Sequence, residues 1–537
     1  MKALARSLTP ASWPLLAAFA FLVAFVLLPL GSVLVGTFQG PDGFTLEAWT
    51  ALAADRAALR QMWASLQVGL AATAVSLLLG GLHAWVTTGR DLPGGGWLGP
   101  LGVAPLVVPP IFVAMGLADV VDAAGFWPCA LLLGIAHAPF VAVLTARGLR
   151  SVDGRAYEAA WLLRGRARAE LWLVRAIAPE LLAGCLLAFL FALADYGVPE
   201  FLTVKGKTWL TYAEGLLARW NRRTVGTTFA ELQSPITAAL PFLVALGCLL
   251  WLALRLRGNA PDRGVARPLP VRPLGAWRWP LLAVPLVYLG FGIGLPVFVL
   301  GRWVLGSAQR LEPMSLEFAQ QSWAKAMDQG LTPLLNSVAL AIGTAVFVVL
   351  LALPLARGAA RRWPLLELLC ALPAAIPAIL LGIALVQSFH DSALLRAFGG
   401  DFYAGWGFAV CGYAARLLPF AALTLSAQVR RQPLAAEEAG LLVQRSATAR
   451  ALRLHLPPLL PAAWTAGVLV FVLALRELDL AVVLPAANAT AVRRLSNSVH
   501  FQHEDWCGVI ALLVLGIAVL LPLLPSLLAG RRLQSLS

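Results

Sequence analysis

Hydrophobic and polar positions along this chain segregate into whole segments. Runs of about 20 apolar residues, the helix length that crosses a ~30 Å hydrocarbon core, are separated by shorter polar stretches. Twelve such windows predict membrane helices: Pro14–Gly36, Trp63–Thr88, Trp97–Val121, Trp127–Ala146, Leu181–Leu193, Pro235–Leu256, Pro280–Leu305, Pro333–Ala356, Pro364–Phe389, Tyr403–Gln428, Pro458–Leu475 and Gly508–Ala529. The fifth and eleventh are short and extend into their flanks. The first follows Lys2 and Arg6 as a signal peptide would. Its 23 residues exceed the usual 7–15-residue signal core, so it is read as a span.

Composition agrees. Of 537 residues, 60% are hydrophobic and 13% charged, and mean hydropathy is +0.79, whereas soluble domains run near 45–50% apolar and ~25% charged. Disorder, a disulfide-stapled secreted scaffold and an ordinary soluble enzyme are excluded. The six cysteines (Cys129, Cys185, Cys248, Cys370, Cys411 and Cys507) form no C-x-x-C pair and read as packed thiols. The net charge of +14 would suit nucleic acid, but its distribution points to topology. With the N-terminus inside, cytoplasmic segments hold 26 Lys/Arg against 9 Asp/Glu, and external segments 14 against 18. The positive-inside rule requires this bias. One external loop, with Lys205, Lys207, Arg219, Arg222 and Arg223, runs against it and is nearly balanced by Asp195, Glu200, Glu214 and Glu231. Both termini are expected in the cytoplasm.

The chain reads as two copies of a six-span unit, 1–260 and 280–537, joined by a basic, proline-rich cytoplasmic linker at 261–279. F-T-L-E at Phe44–Glu47 recurs as M-S-L-E at Met314–Glu317. S-L-Q-V-G-L-A-A-T-A-V from Ser65 recurs as S-V-A-L-A-I-G-T-A-V from Ser337. The proline-broken run from Ala104 returns from Ala371, Pro139-Phe140 returns as Pro419-Phe420, and Arg150 as Arg430. An even number of spans per unit makes the repeats parallel, with a pseudo-two-fold axis along the membrane normal and a pathway between halves. Prolines inside the third and ninth spans free backbone carbonyls, either for helix kinks used in packing or for a wet pathway.

Two long loops carry the functional signal, near 152–179 between the fourth and fifth spans and near 430–457 between the tenth and eleventh. The first contains E-A-A-W-L-L-R-G-R-A-R-A-E-L-W-L-V-R-A-I-A-P from Glu158 to Pro179. The second contains E-A-G-L-L-V-Q-R-S-A-T-A-R-A-L-R-L-H-L-P from Glu438 to Pro457. Each opens with an acid and two small residues, continues as a cationic amphipathic stretch and ends at a proline before the next span. A helix lying along the membrane surface would read this way, and small residues let a partner's backbone approach closely. One copy could be a lipid anchor; two copies at equivalent places favour docking of a partner.

In these loops the chain resembles the permease subunits of binding-protein-dependent ABC importers, whose hallmark is E-A-A-x(3)-G-x(9)-I-x-L-P, and in particular the fused, double-length permeases of the ferric-iron and thiamine group. The resemblance covers essentially the whole chain. It implies an all-α polytopic fold of the type I importer kind in a bacterial inner membrane. Glu158, Ala159 and Ala160, with Glu438, Ala439 and Gly440, would then lie on two coupling helices inserted into two copies of an ATPase subunit, with a periplasmic binding protein delivering solute outside. The first loop departs by two extra residues and by Gly165 one place late. The second has Gln444 where the glycine belongs. Glycine permits a turn, so these changes bear on loop geometry.

The chain has no G-x-x-x-x-G-K-[ST] phosphate loop, and the G-K-T at Gly206–Thr208 lacks the upstream glycine. No catalytic constellation is visible, so this is read as a transport subunit that is not itself an enzyme. It would carry no cofactor of its own, ATP-Mg residing on the partner subunits, and no nucleic acid. Intramembrane ions are costly and have a partner or a task. Arg416 in the tenth span is expected either to pair with Glu477, Asp479 or Asp195, or to contact a gate or substrate. His500 and His503 lie one helical turn apart beside Glu504 and Asp505 and could hold a metal. The remaining histidines (His83, His137, His390 and His455) and the pair Asp119 and Asp122 read as core or helix-end groups.

The competing reading from another class is an ion-coupled secondary transporter with parallel halves. It would not need twin E-A-A loops, and midplane acids are scarce here. A membrane scaffold would explain the loops but not the broken helices. Acids on the external side lean toward a cationic cargo. The resemblance admits ferric iron, the leading choice, as well as thiamine, a polyamine, sulfate or a phosphonate.

Overall fold

The computed structural model describes residues 13–40, 42–120, 125–203, 211–221, 267–306, 313–389, 399–443, 446–485, 489–500 and 506–520, with isolated positions between 237 and 252. Their structure is almost entirely helical, apart from one two-residue hairpin pairing Gln39–Gly40 with Gly43–Phe44. Among the described residues, seven helices are long and apolar enough to cross a membrane, or ten if each bent pair counts as one. Large apolar side chains such as Leu34, Leu70, Phe298, Val346 and Leu350 stand exposed along them, a surface that lipid covers and water would not tolerate. The protein is an all-α polytopic membrane protein. The sixth window falls largely outside the described residues. The twelfth is described as the shorter helix Trp506–Leu520.

The third and ninth windows are not straight spans. Gly95–Val107 and Pro110–Leu117 meet at 92°, and Pro364–Ala375 and Ala378–Phe389 at 103°. In both, a helix tightens into a 3-10 turn (Ala104–Val107; Leu372–Ala375) and ends on an extended residue, Val108 at φ −78°, ψ 121° and Ile376 at φ −104°, ψ 129°. Each precedes a proline, Pro109 or Pro377. A residue before proline is pushed out of the helical region, and proline brings no N–H to continue the ladder. The spacing Pro-x-x-x-Pro, at Pro105–Pro109 and Pro373–Pro377, therefore writes the same bend twice.

Other devices also recur. Trp13-Pro14-Leu15-Leu16-Ala17 opens the first span and Trp279-Pro280-Leu281-Leu282-Ala283 the seventh. Each continues into a π-turn, Val23–Leu27 or Gly290–Gly294. Buried Ser65 Oγ accepts from Tyr212 N (2.8 Å), and buried Ser337 Oγ from Ala491 N (2.7 Å). Each serine thereby satisfies the first N–H of a short helix, Tyr212–Asn221 or Ala491–His500.

The chain divides into two compact units that differ from its sequence repeats. One comprises Met1–Leu46, Thr332–Arg494 and Gly516–Ser537; the other comprises Glu47–Leu331 and Leu495–Leu515. The opening span of each repeat is thus built into the unit formed mainly by the other repeat. In the first unit, Phe25 of the first span stacks on Phe389 (5.2 Å), and Phe21 meets Phe347 edge-on (5.3 Å). Ser32 Oγ lies 2.7 Å from Ser388 Oγ. In the second unit, Tyr288 of the seventh span donates to Gly102 O (2.8 Å). Gly292 lies so close to Pro105 that an added Cβ would come within 2.8 Å of its ring.

Candidate functional site

The loop between the fourth and fifth spans is a helical hairpin. Asp153 caps its first helix, Gly154–Arg164, by accepting from Arg155 N (3.0 Å). Gly165 then adopts φ +76°, ψ 166°, a conformation suited to glycine. The chain returns as Arg166–Ala176, and after Ile177 the fifth span begins at Ala178. Placing Gly165 one position late moves the turn without abolishing it. The hairpin has its own core: Leu149, Val152, Tyr157, Ala169, Leu173 and Ile177, with Trp85, Ala160, Trp172 and Leu269 packed against it.

A compact polar cluster closes one side. Glu170 Oε2 accepts from Arg90 (2.8 Å) and Arg272 (3.1 Å), while its Oε1 accepts from the Tyr157 hydroxyl (2.9 Å). Both guanidinium groups lie over the Trp85 ring, at 5.3 and 5.2 Å. Two cations share one carboxylate. Burial and the neighbouring Arg90 lower the Arg272 pKa from its usual value, and Glu170 opposes that shift. Burial and the bond to Glu170 raise the Tyr157 phenol, so it remains a donor at neutral pH.

Glu158 is half-buried and pairs with Arg267 at 3.5 Å. Ala159 is exposed and Ala160 half-buried. The next turn is apolar and uncovered: Trp161 is exposed, Leu162 is 86% exposed and Leu163 84%. An acid, a small residue and three large apolar groups thus share one accessible end.

The second loop begins with helix Leu434–Val443, on which Glu438 and Ala439 are exposed and Gly440 half-buried. A methyl group at Gly440 would run into the Leu454 Cδ2 tip, so that side chain would have to turn aside. The turn at Gln444 and Arg445 lies outside the described residues. Leu442 and Leu452 are exposed. The return limb ends with buried His455, its Nε2 3.0 Å from the Arg357 guanidinium.

Of the charged candidates, Arg416 lies inside the helix Trp406–Arg431, whereas Asp195, Glu477 and Asp479 lie at helix ends. Arg416, 3% exposed, donates from one nitrogen to Pro373 O (2.8 Å) and Ile376 O (2.6 Å) at the break in the ninth span, where Pro373 O also accepts from Ile376 N (3.3 Å). Glu477 and Asp479 attract it electrostatically. The carboxylates remain part of its surroundings, but the backbone acceptors were not anticipated from sequence. Asp195 accepts from Val198 N (2.9 Å) and Glu477 from Leu480 N (3.3 Å), both as local caps after a span. Arg416, Glu477 and Asp479 belong to one compact unit and Asp195 to the other. His503, Glu504 and Asp505 lie outside the described residues, as does the His500 side chain. Among the described residues no group of three His, Cys, Asp or Glu could hold a metal. No protein-family model matches the chain, and no curated protein is significantly similar to it.

Proposed function

We propose that this chain is the fused permease of a binding-protein-dependent, ATP-driven importer in a bacterial inner membrane, with both termini in the cytoplasm. The observation that carries the reading is the first loop's construction. It folds on a buried core yet leaves Trp161, Leu162 and Leu163 uncovered in the turn after Glu158, an apolar helix end suited to a cleft on an ATPase subunit. A second loop at the equivalent place repeats the acid, the small residues and the exposed leucines. Two ATPase subunits would each take one loop. Closure on ATP would move the loops, and hydrolysis would reset them, turning the solute pathway outward and then inward. The bends at Pro105–Pro109 and Pro373–Pro377 are the natural pathway elements, since irregular backbone inside a membrane lines a cavity or packs on protein. The pseudo-two-fold arrangement of two parallel six-span repeats belongs to this reading. So does a cationic cargo, ferric iron first among them, which rests on the acidic external balance.

Affinity purification of the full chain from its own membranes tests the reading. The wild type should retain an ATP-hydrolysing subunit. Leu162→Asp with Leu163→Asp should insert normally, because both side chains are already exposed, and should retain at least ~10-fold less, equivalent to ~1.4 kcal/mol of interface. Glu438→Lys should act in the same direction. Normal solute uptake with no ATPase subunit retained by the wild type would replace this reading with an ion-coupled transporter.

A further inference from the structure

Within the segment joining the two repeats, expected to be a cytoplasmic linker, Arg267–Leu274 lies along the first hairpin. Arg267 O accepts from Gly154 N (2.8 Å), and a side chain at Gly154 would collide with Pro268 O. Leu269 packs on the hairpin core. Arg272, 2% exposed, makes the central contacts. Its N–H donates to Gly89 O (3.0 Å), and its guanidinium donates to Glu170 (3.1 Å) and Thr88 O (2.9 Å) while covering Trp85 and Tyr157. Arg166 donates to Pro273 O, and Leu274 N to Asp91 Oδ1 (2.6 Å). At Gly275 (φ +61°) the chain turns directly into the seventh span, Gly275–Leu305. That span carries Tyr288 on Gly102 O and Gly292 against Pro105, at the break of the third span.

We propose that Arg272 is a positioning residue for energy coupling: the strap Arg267–Leu274 clamps the first hairpin to the base of the seventh span, so that displacement of the hairpin reaches the broken third span through Tyr288 and Gly292. This rests on the importer reading for the source of the displacement, not for the clamp itself. A free tether would have no reason to bury a guanidinium between a carboxylate, a backbone carbonyl and two aromatic rings. Prolines on both sides of Val271-Arg272 keep the strap extended, and an extended strap transmits displacement where a flexible one would absorb it. The second loop is held differently among the described residues, by Arg357 at His455 and by Arg361 at Val429 O and Gln432 O.

The test uses the full chain in native membranes, with N-ethylmaleimide labelling quantified site by site by mass spectrometry. At Ala160→Cys, half-buried against the hairpin, Arg272→Gln should raise the labelling rate at least ~10-fold, the change expected when a ~1.4 kcal/mol restraint is lost. Arg272→Lys should fall between wild type and Arg272→Gln. Ala439→Cys in the second loop should not respond. An unchanged rate at Ala160→Cys overturns the proposal, as does an equal rise at both sites. Should Arg272→Gln fail to accumulate, a four-residue Gly-Ser insertion after Leu274 leaves the clamp intact but slackens its link to the seventh span. In complexes holding the ATPase subunit, ATP with vanadate should alter labelling at Leu289→Cys in the parent chain. It should not after the insertion, and persistence of the response overturns the proposal. If the wild type retains no ATPase subunit, the importer reading fails on that result alone, and the clamp is judged by Ala160→Cys.

Discussion

Replacing Arg416 by alanine removes the donor to Pro373 O and Ile376 O and leaves Glu477 and Asp479 without the cation that attracts them. A buried hydrogen bond from a charged group contributes ~1.5–3 kcal/mol net, so two sum to ~3–6 kcal/mol. Water entering the vacated space recovers part of that, which brings the expected cost to ~3–5 kcal/mol, the range for removing one member of a buried charge pair. The other compact unit supplies an internal reference. There the neutral Tyr288 hydroxyl donates to Gly102 O, in the third span ahead of its break, and Tyr288→Phe should cost only ~0.5–1.5 kcal/mol. Arg416→Lys keeps the charge but loses the planar fork, and should fall between them. Equilibrium unfolding in mixed micelles, followed by tryptophan fluorescence, measures all three. Equal destabilisation by Arg416→Ala and Tyr288→Phe would refute the assignment of Arg416 as the brace of the ninth-span break.

Two further predictions follow from single positions. Ser65→Ala and Ser337→Ala each strand one buried N–H, of Tyr212 or Ala491, and should each cost ~1–3 kcal/mol. Thr73→Val, which loses only a hydroxyl folded back on Gly69 O of its own helix, should cost less in the same unfolding assay. Gly165→Ala forces φ +76° on a residue with a Cβ, though nothing crowds it, at ~1–3 kcal/mol. The hairpin should then be cut faster by added protease in inside-out vesicles, with span insertion unaffected.

Much of this architecture was legible because membrane insertion reduces to local counts of apolar residues and prolines. The spans, the two bent helices and the serines at Ser65 and Ser337 stand in the sequence at fixed spacings. What escaped depends on groups that become acceptors only after folding. Arg416 could be assigned charged partners from sequence, but the pre-proline residue Ile376 leaves the helix, which exposes Ile376 O and leaves Pro373 O with only the 3-10 bond from Ile376 N. The signal was present, since Pro-x-x-x-Pro inside a span announces unpaired carbonyls, but it does not say which donor will reach them. Asp195 and Glu477 stand out as acids at the ends of apolar runs. Their capping bonds are equally local and are marked by the short segment that follows each. Arg272 was hidden in a linker whose basic, proline-rich composition is that of a tether. The clue to its role lies 118 positions earlier, in Gly154, which has no turn to make and is small because the strap crosses it.

The partition of the chain also bears on how its two halves depend on each other. Each repeat contributes its first span to a compact unit built mainly from the other. The aromatic group of Phe347 and Phe389 is completed by Phe21 and Phe25, and the third span at Gly102 and Pro105 packs against Tyr288 and Gly292. Neither half of the chain, 1–260 or 280–537, therefore contains all the partners of its own buried groups. A hydroxyl donor absent from Gly102 O, or a ring absent from Phe389, leaves a polar or packing defect that lipid cannot repair, because hydrocarbon offers no hydrogen bond and fills narrow clefts poorly. In separate chains such an exchange depends on encounter within the membrane. Here it depends on a linker of fixed length, and anchoring that linker's end at Gly89, Asp91 and Glu170 sets where the seventh span starts. The same contacts that hold the first hairpin thus place the seventh span over the third, which is why a segment with the composition of a tether is buried at Arg272.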